Sequence, residues 1–330
     1  MEAVRWGILS VSGHYALRVH GPLSRLPDAR IVAIASRDKA KATAAASRFG
    51  ISKSHASYEA LLADPEVEAV YIPLPNHLHA EWTEKALRAG KHVLCEKPLA
   101  MDAVEAKKMA VVAREKGLLL MEAFMYRFHP QWIRAKEIVE AGEIGAVKAI
   151  NVNFSYNNGD PANIRNRIDS GGGALYDIGC YAISVSRWMA GAEPRRGLAL
   201  VERDPDFGID RLSSAILDFG TCRSVFTVGT RCYPVQRVEV MGEKGAIAVI
   251  LPFNAYPDVP LALEVSTSLG TRTVEAGPTD QYAAMFAAFG RALRSGAPAP
   301  TPIEDGIANM AVIDALFRSE KSGGWAELAR

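Results

Sequence analysis

Short apolar runs alternate with helical patterns along the first part of the chain. Strands are predicted at residues 4–9, 30–35, 67–74, 92–95 and 118–123. Apolar residues recur three or four positions apart between these runs, and Asp102 and Gly117 mark the start and the end of one such helix. Alternation of this kind with short connections indicates a parallel sheet with right-handed crossovers.

A different pattern follows a predicted helix at residues 130–141. Strands are predicted at residues 148–156, 197–203, 211–219, 223–230, 235–241, 246–251, 261–268 and 272–276. Turns rather than helices join many of them, which indicates a mostly antiparallel sheet, and helices at residues 280–294 and 304–319 follow. The predicted fold class is α/β: a Rossmann-type doubly wound parallel sheet in residues 1–124, and an α/β domain with a large, mostly antiparallel open sheet in residues 125–330.

The charge balance limits the class of partner. The chain has 38 basic and 37 acidic residues, a formal net charge of +1, and no block of like charge. A small-molecule substrate is therefore expected, and neither nucleic acid nor a membrane. The N-terminus lacks a signal-peptide pattern, and the four cysteines show no Cys-x-x-Cys spacing, so we expect reduced thiols in the cytoplasm.

The turn after the first strand partly matches a dinucleotide-binding fingerprint. Gly13 and Ala16 fit its second and third positions, whereas Val11 stands at the first. The serine hydroxyls of this turn can cap the following helix or bind phosphate. The predicted cofactor contacts here are Ser10, Ser12, Gly13, His14 and Tyr15. The alternative is an ordinary strand-to-helix turn.

The end of the second strand favours NADP over NAD. A 2′-phosphate requires a small hydroxyl residue and a cation, which Ser36 and Arg37 supply, with Lys41 one helical turn further on. The alternative is that Asp38 caps the next helix and Arg37 is solvated, in which case NAD remains open. Further cofactor contacts are predicted at the later strand ends, from Leu74, Asn76, His79, Glu96 and Lys97.

Lys97 follows the strand at residues 92–95, at the edge of the sheet where ligands bind in open α/β folds. Pro98 restricts Lys97 to extended geometry and permits a cis bond. The alternative is a surface lysine beside a turn proline. His77 and His79 are two positions apart and point to different faces, so we predict no metal site.

A second cluster lies in the second domain. Three glycines at residues 171–173 precede a helix and allow close approach of the backbone to a ligand or a neighbouring element. Asp177 and Tyr181 are four positions apart and lie on one helical face, where a carboxylate and a phenol can bind a hydroxyl and move its proton. The alternative is a solvent-facing Asp and a packed Tyr.

These motifs together resemble the Gfo/Idh/MocA oxidoreductase family, and in particular its dihydrodiol and D-xylose dehydrogenase branch. The residues that carry the resemblance are Val4 to Leu9, Cys95 to Pro98, Met121 to Phe128 and the Gly171-to-Tyr181 motif. The resemblance implies a Rossmann domain, an α/β domain whose open sheet mediates oligomerisation, and Lys97, Asp177 and Tyr181 as active-site residues. The chain departs from the family in the nucleotide turn, where Val11 or the serines replace glycine.

The resulting hypothesis is hydride transfer between NADP and a secondary alcohol, hemiacetal or carbonyl of a cyclic polyol or sugar. An alcohol gives up hydride readily only as its hydroxyl proton leaves, so the protein must supply a base for oxidation and an acid for reduction. Tyr181 is the predicted proton carrier, with Lys97 favouring its phenolate and Asp177 orienting the hydroxyl or Lys97. Lys97 as the proton carrier is the alternative assignment. A non-catalytic NAD(P)-binding sensor is the alternative function.

Two arginines are candidate substrate contacts, Arg127 and Arg165, with a structural salt bridge as the alternative for each. The second sheet has too few neighbouring helices to cover both of its faces. We therefore expect a homo-oligomer, a dimer or a tetramer, formed through that sheet.

Overall fold

The computed structural model describes residues 2–328 and divides into two compact units. The first comprises residues up to Met125 together with Tyr282–Ile307, and the second comprises Tyr126–Gln281 and residues from Ala308 onward. Residues 282–307 thus pack with the first of the two units. The reason is aromatic packing: the Trp6 ring lies 5.0 Å from that of Phe286 and 5.4 Å from that of Phe289.

The first unit contains a six-stranded parallel sheet in the order β3-β2-β1-β4-β5-β6. Its strands are β1 (Val4–Leu9), β2 (Ala29–Ala35), β3 (Lys53–His55), β4 (Ala69–Ile72), β5 (His92–Cys95) and β6 (Leu120–Glu122). This strand order is the Rossmann order, so the predicted fold class is confirmed. β3 was not predicted from the sequence, because this edge strand is only three residues long and carries no apolar side chain.

The helices include α1 (His20–Ser24), α2 (Lys39–Phe49), α3 (Tyr58–Leu62), α4 (His79–Arg88), α5 (Ala103–Lys116), α6 (Pro130–Glu140), α7 (Cys180–Ala190), α8 (Gln281–Ser295) and α9 (Ile303–Ser322). Local signals set several of their ends. The Asp102 carboxylate accepts a hydrogen bond from the Glu105 N–H at the start of α5, and Gly117 ends that helix with a positive φ.

Within residues 2–328, no helix combines the length and the apolar character that a membrane-spanning helix requires.

The second unit contains a nine-stranded sheet in the order β14-β13-β12-β11-β7-β10-β9-β8-β15. Its strands are β7 (Val147–Asn157), β8 (Arg196–Arg203), β9 (Asp210–Asp218), β10 (Arg223–Gly229), β11 (Arg231–Gly242), β12 (Gly245–Val249), β13 (Leu261–Thr267), β14 (Gly270–Ala276) and β15 (Ala326–Glu327). The pair formed by β7 and β10 is parallel, and the other pairs are antiparallel, as predicted. β15 was not predicted from the sequence, because it has only two residues.

One end of this sheet carries the long insertion between β7 and α7, and we call it the insertion end. The register places Asn157 of β7 opposite Arg231 of β11, and Arg203 of β8 opposite Asp210 of β9. The insertion, the β8–β9 turn and the β10–β11 turn therefore all lie at the insertion end. Gly173 of the insertion packs against Asp210, which fixes the insertion to this end of the sheet.

A buried lysine connects two loops of the first unit. The Lys91 side chain is 7% exposed, and its Nζ donates to the carbonyl oxygens of Asp64 and Val67 at 2.8 and 2.7 Å. Burial lowers the pKa of Lys91, although the nearby Asp64 opposes that effect. The ammonium donates to both carbonyl oxygens in a buried position, so it contributes to stability despite the cost of its burial.

Replacing Lys91 with Met should lower the free energy of unfolding by about 2–4 kcal/mol, because two buried carbonyl oxygens lose the charged donor that Lys91 supplies. Urea denaturation of the wild type and the variant measures the effect. Lys107 is exposed on α5, so Lys107→Met should change stability by no more than about 0.5 kcal/mol. Equal effects of the two substitutions would show that the buried contacts of Lys91 contribute nothing.

Candidate active site

The turn after β1 contains a backbone feature that the sequence did not reveal. Ser10 has a φ of 148°, a conformation that favours glycine, and it is the non-glycine residue with positive φ within residues 2–328. The glycine-like position of this turn is therefore Ser10 rather than Val11. The Ser12 Oγ accepts the Tyr15 N–H at 3.1 Å, and Gly13 has open space where a Cβ would lie. The backbone of this turn can thus be approached closely by a ligand.

The side chains of Tyr15 and His14, two of the predicted cofactor contacts, have different surroundings. Tyr15 is fully buried in a π-helical turn (Tyr15–Val19), and its hydroxyl lies 3.0 Å from His20 Nδ1. Burial raises the pKa of this phenol. A cofactor contact of Tyr15 is therefore restricted to its backbone. The His14 Nε2 lies 3.4 Å from Glu96 Oε1, within ion-pair distance but without hydrogen-bond geometry.

The end of β2 presents the groups expected of a 2′-phosphate site. Arg37 and Lys41 are exposed, and neither forms an ion pair with another residue in the range 2–328. The Asp38 carboxylate caps α2 by accepting the N–H groups of Ala40 and Lys41. Ser36 Oγ accepts the Asp38 N–H at 3.1 Å, so its hydroxyl proton remains able to donate. Asp38 thus caps α2 and Arg37 is exposed, which is the arrangement of the alternative interpretation, and the same arrangement leaves the Arg37 guanidinium accessible to a phosphate.

The β4 and β5 ends are joined by a buried histidine. Both ring nitrogens of His79 lie 2.8 Å from carbonyl oxygens, those of Leu74 and Pro98. Burial lowers the pKa of His79, and the two carbonyl acceptors oppose this effect. His79 is therefore placed as a structural link between two strand ends rather than as a ligand side chain. Asn76 is half-buried and begins a short 3₁₀ turn (Asn76–Leu78).

The carboxylate of Glu96 fixes the segment that carries Lys97. It accepts the Tyr71 hydroxyl at 2.5 Å and the Lys97 N–H at 3.2 Å. Burial alone would raise the pKa of this carboxyl, but His14, Lys97 and the Tyr71 hydroxyl outweigh burial and lower the pKa to about 2. Lys97 is half-buried directly after β5, and the Lys97–Pro98 peptide bond is cis.

In the second unit, the glycine triplet serves internal packing. A Cβ on Gly172 would lie 2.4 Å from the Arg165 carbonyl oxygen, and one on Gly173 would lie 1.9 Å from Asp210 Oδ1. Gly171 and Gly173 also have φ values of 75° and 116°. The triplet therefore lets the insertion approach its own neighbours, the second of the two uses that the sequence allowed.

Asp177 lies in a second π-helical turn (Leu175–Gly179) that leads into α7. Its Oδ2 accepts the Tyr156 hydroxyl at 2.7 Å and pairs with Arg165 Nε at 2.9 Å. Asp177 and, more weakly, Tyr181 raise the pKa of Arg165, so both lie in the electrostatic neighbourhood of its guanidinium. The structure thus brings together three of the predicted residues, Arg165, Asp177 and Tyr181. The two π-helical turns follow the two motifs singled out from the sequence, and such turns are frequent at functional sites.

Tyr181 is the second residue of α7, which follows this π-helical turn, and it is 5% exposed. Its ring lies 5.1 Å from that of Phe253 and 5.7 Å from that of Phe154. The phenol is therefore held by packing, which restricts the directions in which its hydroxyl can point.

Arg127, the other candidate substrate contact, packs against α7. Its guanidinium stacks on Trp188 and donates to Ser184 Oγ at 3.0 Å. Arg127 is thus engaged with α7.

Two residues of this site were missed by the sequence analysis, Tyr156 and Asp210. Tyr156 is 21 positions from Asp177 along the chain, and Asp210 is 35 positions from its partner Leu175. Neither lies in a motif, so no local signal identified them. Within residues 2–328, no group of three or more His, Cys, Asp or Glu side chains has the arrangement of a metal site.

Two profiles of known families match the chain. One, described as an oxidoreductase family with an NAD-binding Rossmann fold, matches residues 4–124. The other, described as the GFO/IDH/MocA C-terminal domain, matches residues 132–248. Together they cover parts of both structural units.

Similar proteins match nearly the whole chain. An oxidoreductase of Rhizobium meliloti is 43% identical over 98% of this chain and 99% of its own length. The D-xylose 1-dehydrogenase (NADP(+)) 2 of Haloferax volcanii is 39% identical over 98% of this chain and 99% of its own length. A 3-ketoreductase from Actinomadura kijaniata, solved in complex with NADP and TDP-benzene, is 32% identical with a TM-score of 0.90, covering 96% of this chain and 98% of that chain. Similar structures include lysine and tyrosine variants of that ketoreductase.

The helix start that carries Asp177 depends on a buried acid. Asp210 is 2% exposed, and its Oδ2 accepts the Leu175 N–H at 2.6 Å and the Ser213 hydroxyl at 3.0 Å. Burial raises the pKa of Asp210 to about 6, although these hydrogen bonds oppose the shift. The folded state therefore binds the proton more tightly than the unfolded state, and the stability that this contributes is lost as pH rises through about 6.

Asparagine imitates the protonated acid, so Asp210→Asn removes this pH dependence. The stability of the variant relative to the wild type should rise between about pH 4 and pH 7. Urea unfolding at a series of pH values measures the difference. The exposed Asp206 of the same turn provides the control, since Asp206→Asn makes the same substitution outside the buried contacts of Asp210. A flat profile for Asp210→Asn would contradict the raised pKa.

Proposed function

The chain belongs to the Gfo/Idh/MocA oxidoreductase family, and from this premise we propose that it transfers hydride between NADP(H) and a CH–OH or carbonyl group of a sugar or cyclic polyol. The observation that carries the proposal is the cluster that Tyr156 and Arg165 form around the buried Asp177, next to Tyr181. It holds a carboxylate and a phenol at fixed positions, as proton transfer to or from a substrate hydroxyl requires. The relative named as a D-xylose 1-dehydrogenase (NADP(+)) supports the same class of reaction.

The first unit fits NADP. Its strand order changes direction between β1 and β4, where dinucleotides bind in doubly wound sheets. The open backbone at Gly13 and the hydroxyls of Ser10 and Ser12 would hold the pyrophosphate, and Arg37 with Lys41 would hold the 2′-phosphate. Leu74, Asn76 and Glu96 lie at the neighbouring strand ends. NADP, when bound, supplies the site that accepts or gives the hydride.

The residues of the chain then have to transfer one proton to or from the substrate hydroxyl. We assign Tyr181 as the group whose phenolic oxygen takes the hydroxyl proton during oxidation and returns it during reduction. Asp177 is engaged at Oδ2 by a cation and a hydroxyl, so it orients the substrate hydroxyl rather than acting as the base. Lys97 is assigned to favour the phenolate of Tyr181 through its charge, and Lys97 as the proton carrier is the competing assignment.

A non-catalytic sensor is not favoured, because such a protein has no chemical use for Lys97, Asp177 and Tyr181 together.

The two candidate arginines have different roles. Arg165 pairs with Asp177 and is assigned as a positioning residue that can still reach substrate through its exposed side, whereas Arg127 supports α7. The cytoplasmic location stays a prediction from the sequence.

Turnover tests the proposal. Incubation with NADP and a panel of sugars and polyols should produce NADPH, measured by its absorbance. With the substrate so found, Lys97→Met and Tyr181→Phe should each lower kcat by about 100-fold or more, the scale of lost acid–base assistance. The double variant should be little worse than either single one if the two residues act as a unit. Near-normal turnover of both single variants would defeat the catalytic assignment.

Replacing Arg37 with Ala should weaken NADP about ten- to a hundredfold and NAD much less, because one charge-assisted phosphate contact is lost. Fluorescence titration of both dinucleotides measures the two affinities. Arg25 carries no predicted cofactor role, so Arg25→Ala controls for a general loss of positive charge in the first unit. Equal weakening of NADP and NAD by Arg37→Ala would contradict the assignment.

We propose that a second copy of the chain covers the outer face of the nine-stranded sheet. Leu198, Ile216 and Val225 are neighbours across β8, β9 and β10, and Leu200 next to them is 78% exposed. They form an apolar row on a face that points away from the core, which is typical of an association surface.

Light scattering at micromolar concentration should therefore give a dimer or a tetramer, and Leu200→Lys should shift it toward the monomer by placing a charge in the apolar row. Leu269 at the β13–β14 turn is 96% exposed and lies outside the row, so Leu269→Lys should leave the assembly unchanged. A monomeric wild type would contradict this interface.

A further inference from the structure

We infer that the substrate is an uncharged sugar or polyol and not one that carries a phosphate or a nucleoside diphosphate. The inference rests on the proposed function, because it concerns the substrate that Asp177 and Tyr181 receive. It is drawn from the charges of the insertion end of the nine-stranded sheet, where those residues lie. Three observations support it: the local charge, the pairing of the local arginines, and the occupation of the nearby helix N-terminus.

The segments that meet at the insertion end carry more acids than bases. They are residues 157–177, 202–212 and 229–233, together with the loop 250–260 after β12, which places Phe253 against Tyr181. These segments contain five arginines, no lysine or histidine, and eight carboxylates, a formal charge of −3. Such a field repels an anionic substrate and leaves an uncharged one unaffected.

Each of the five arginines forms an ion pair with a carboxylate. The pairs are Arg165–Asp177 at 2.9 Å, Arg167–Asp169 at 2.8 Å, Arg203–Glu320 at 2.7 Å, Arg231–Asp204 at 3.3 Å, and Arg211–Glu202. A phosphate group is normally bound by cations that it can engage in bidentate hydrogen bonds. A phosphorylated substrate would have to compete with an existing carboxylate for each of these guanidinium groups.

The other usual phosphate site, a helix N-terminus, is also occupied. The N–H of Leu175, at the start of the helical segment that carries Asp177 and Tyr181, donates to the Asp210 carboxylate at 2.6 Å. The Asp177 N–H donates to the Gly173 carbonyl at 3.0 Å. The anion that this helix start favours is thus already supplied by the protein itself.

What remains exposed at this end suits an uncharged ring. Tyr233 is 85% exposed beside the end of β7, where its carbonyl accepts the Ser155 hydroxyl, and Tyr256 in the loop after β12 is 54% exposed. Ile164 and Ile168 of the insertion are exposed as well. Aromatic and aliphatic surfaces beside a fixed carboxylate can bind a polyhydroxylated ring without an arginine that binds phosphate.

Kinetics with matched substrates test the inference. An aldose that is turned over and its phosphate ester are compared at saturating NADP, and kcat/KM should be at least about tenfold higher for the free sugar. Added salt should raise kcat/KM for the ester by screening the repulsion and leave that for the free sugar within about twofold. A preference for the ester, or a value for the ester that falls with salt, would mean that cations recognise the phosphate and would overturn the inference.

Charge variants make the test local. Asp206 is exposed in the β8–β9 turn, and Asp206→Lys should raise kcat/KM for the ester relative to that for the free sugar. Glu115→Lys on α5 adds the same charge elsewhere and should leave this ratio unchanged. Equal responses of the ratio to both variants would show that the charges of the insertion end do not select the substrate.

Direct binding separates a failure of this inference from a failure of the proposed function. Thymidine diphosphate is titrated into NADP-saturated protein by calorimetry, which requires no turnover. The expected result is no saturable binding up to about 1 mM. Saturable binding would overturn the inference even if free sugars are oxidised, whereas absence of turnover with every sugar would defeat only the proposed function.

Discussion

A buried carboxylate has to be paired, and this requirement organises the site in the second unit. Asp177 lies near the edge of the nine-stranded sheet and receives both the Tyr156 hydroxyl and the Arg165 guanidinium. Tyr156 comes from β7 and Arg165 from the insertion that follows it, so the pairing ties the insertion to the sheet. The helical segment that begins at Leu175 is held at its start by a second buried carboxylate, that of Asp210. Tyr181 is placed by that segment and by the aromatic rings around it.

A similar constraint acts in the first unit. Glu96 is buried at the end of β5, and it is stabilised as an anion by the Tyr71 hydroxyl, the Lys97 N–H and the nearby His14. His79 links the β4 end to Pro98 through two carbonyl contacts. Lys97 therefore lies in a segment whose backbone is fixed on both sides. In each unit, a paired buried acid fixes the segment near the residue that is assigned to carry or assist the proton.

The sequence predicted the parts of this architecture that depend on local signals. The strand at residues 92–95 was placed correctly, as were the cap at Asp102 and the stop at Gly117, because apolar periodicity and capping are properties of neighbouring residues. Long-range contacts were not predictable in this way. Nothing local distinguishes Tyr156, which meets Asp177 across 21 positions, or shows that Tyr15 is buried against His20. The positive φ of Ser10 was also not predicted, because residues other than glycine rarely adopt this conformation.

The account depends most on the claim that paired Asp177 sets the geometry for turnover. Tyr156→Phe tests it directly, because it removes one donor to the carboxylate and keeps the ring. On the substrate found with the wild type, kcat should fall by about tenfold or more while the affinity for NADP stays the same, the result expected when a hydrogen bond to a charged group is lost. If the Tyr156→Phe variant is folded and its kcat is unchanged, the claim is contradicted.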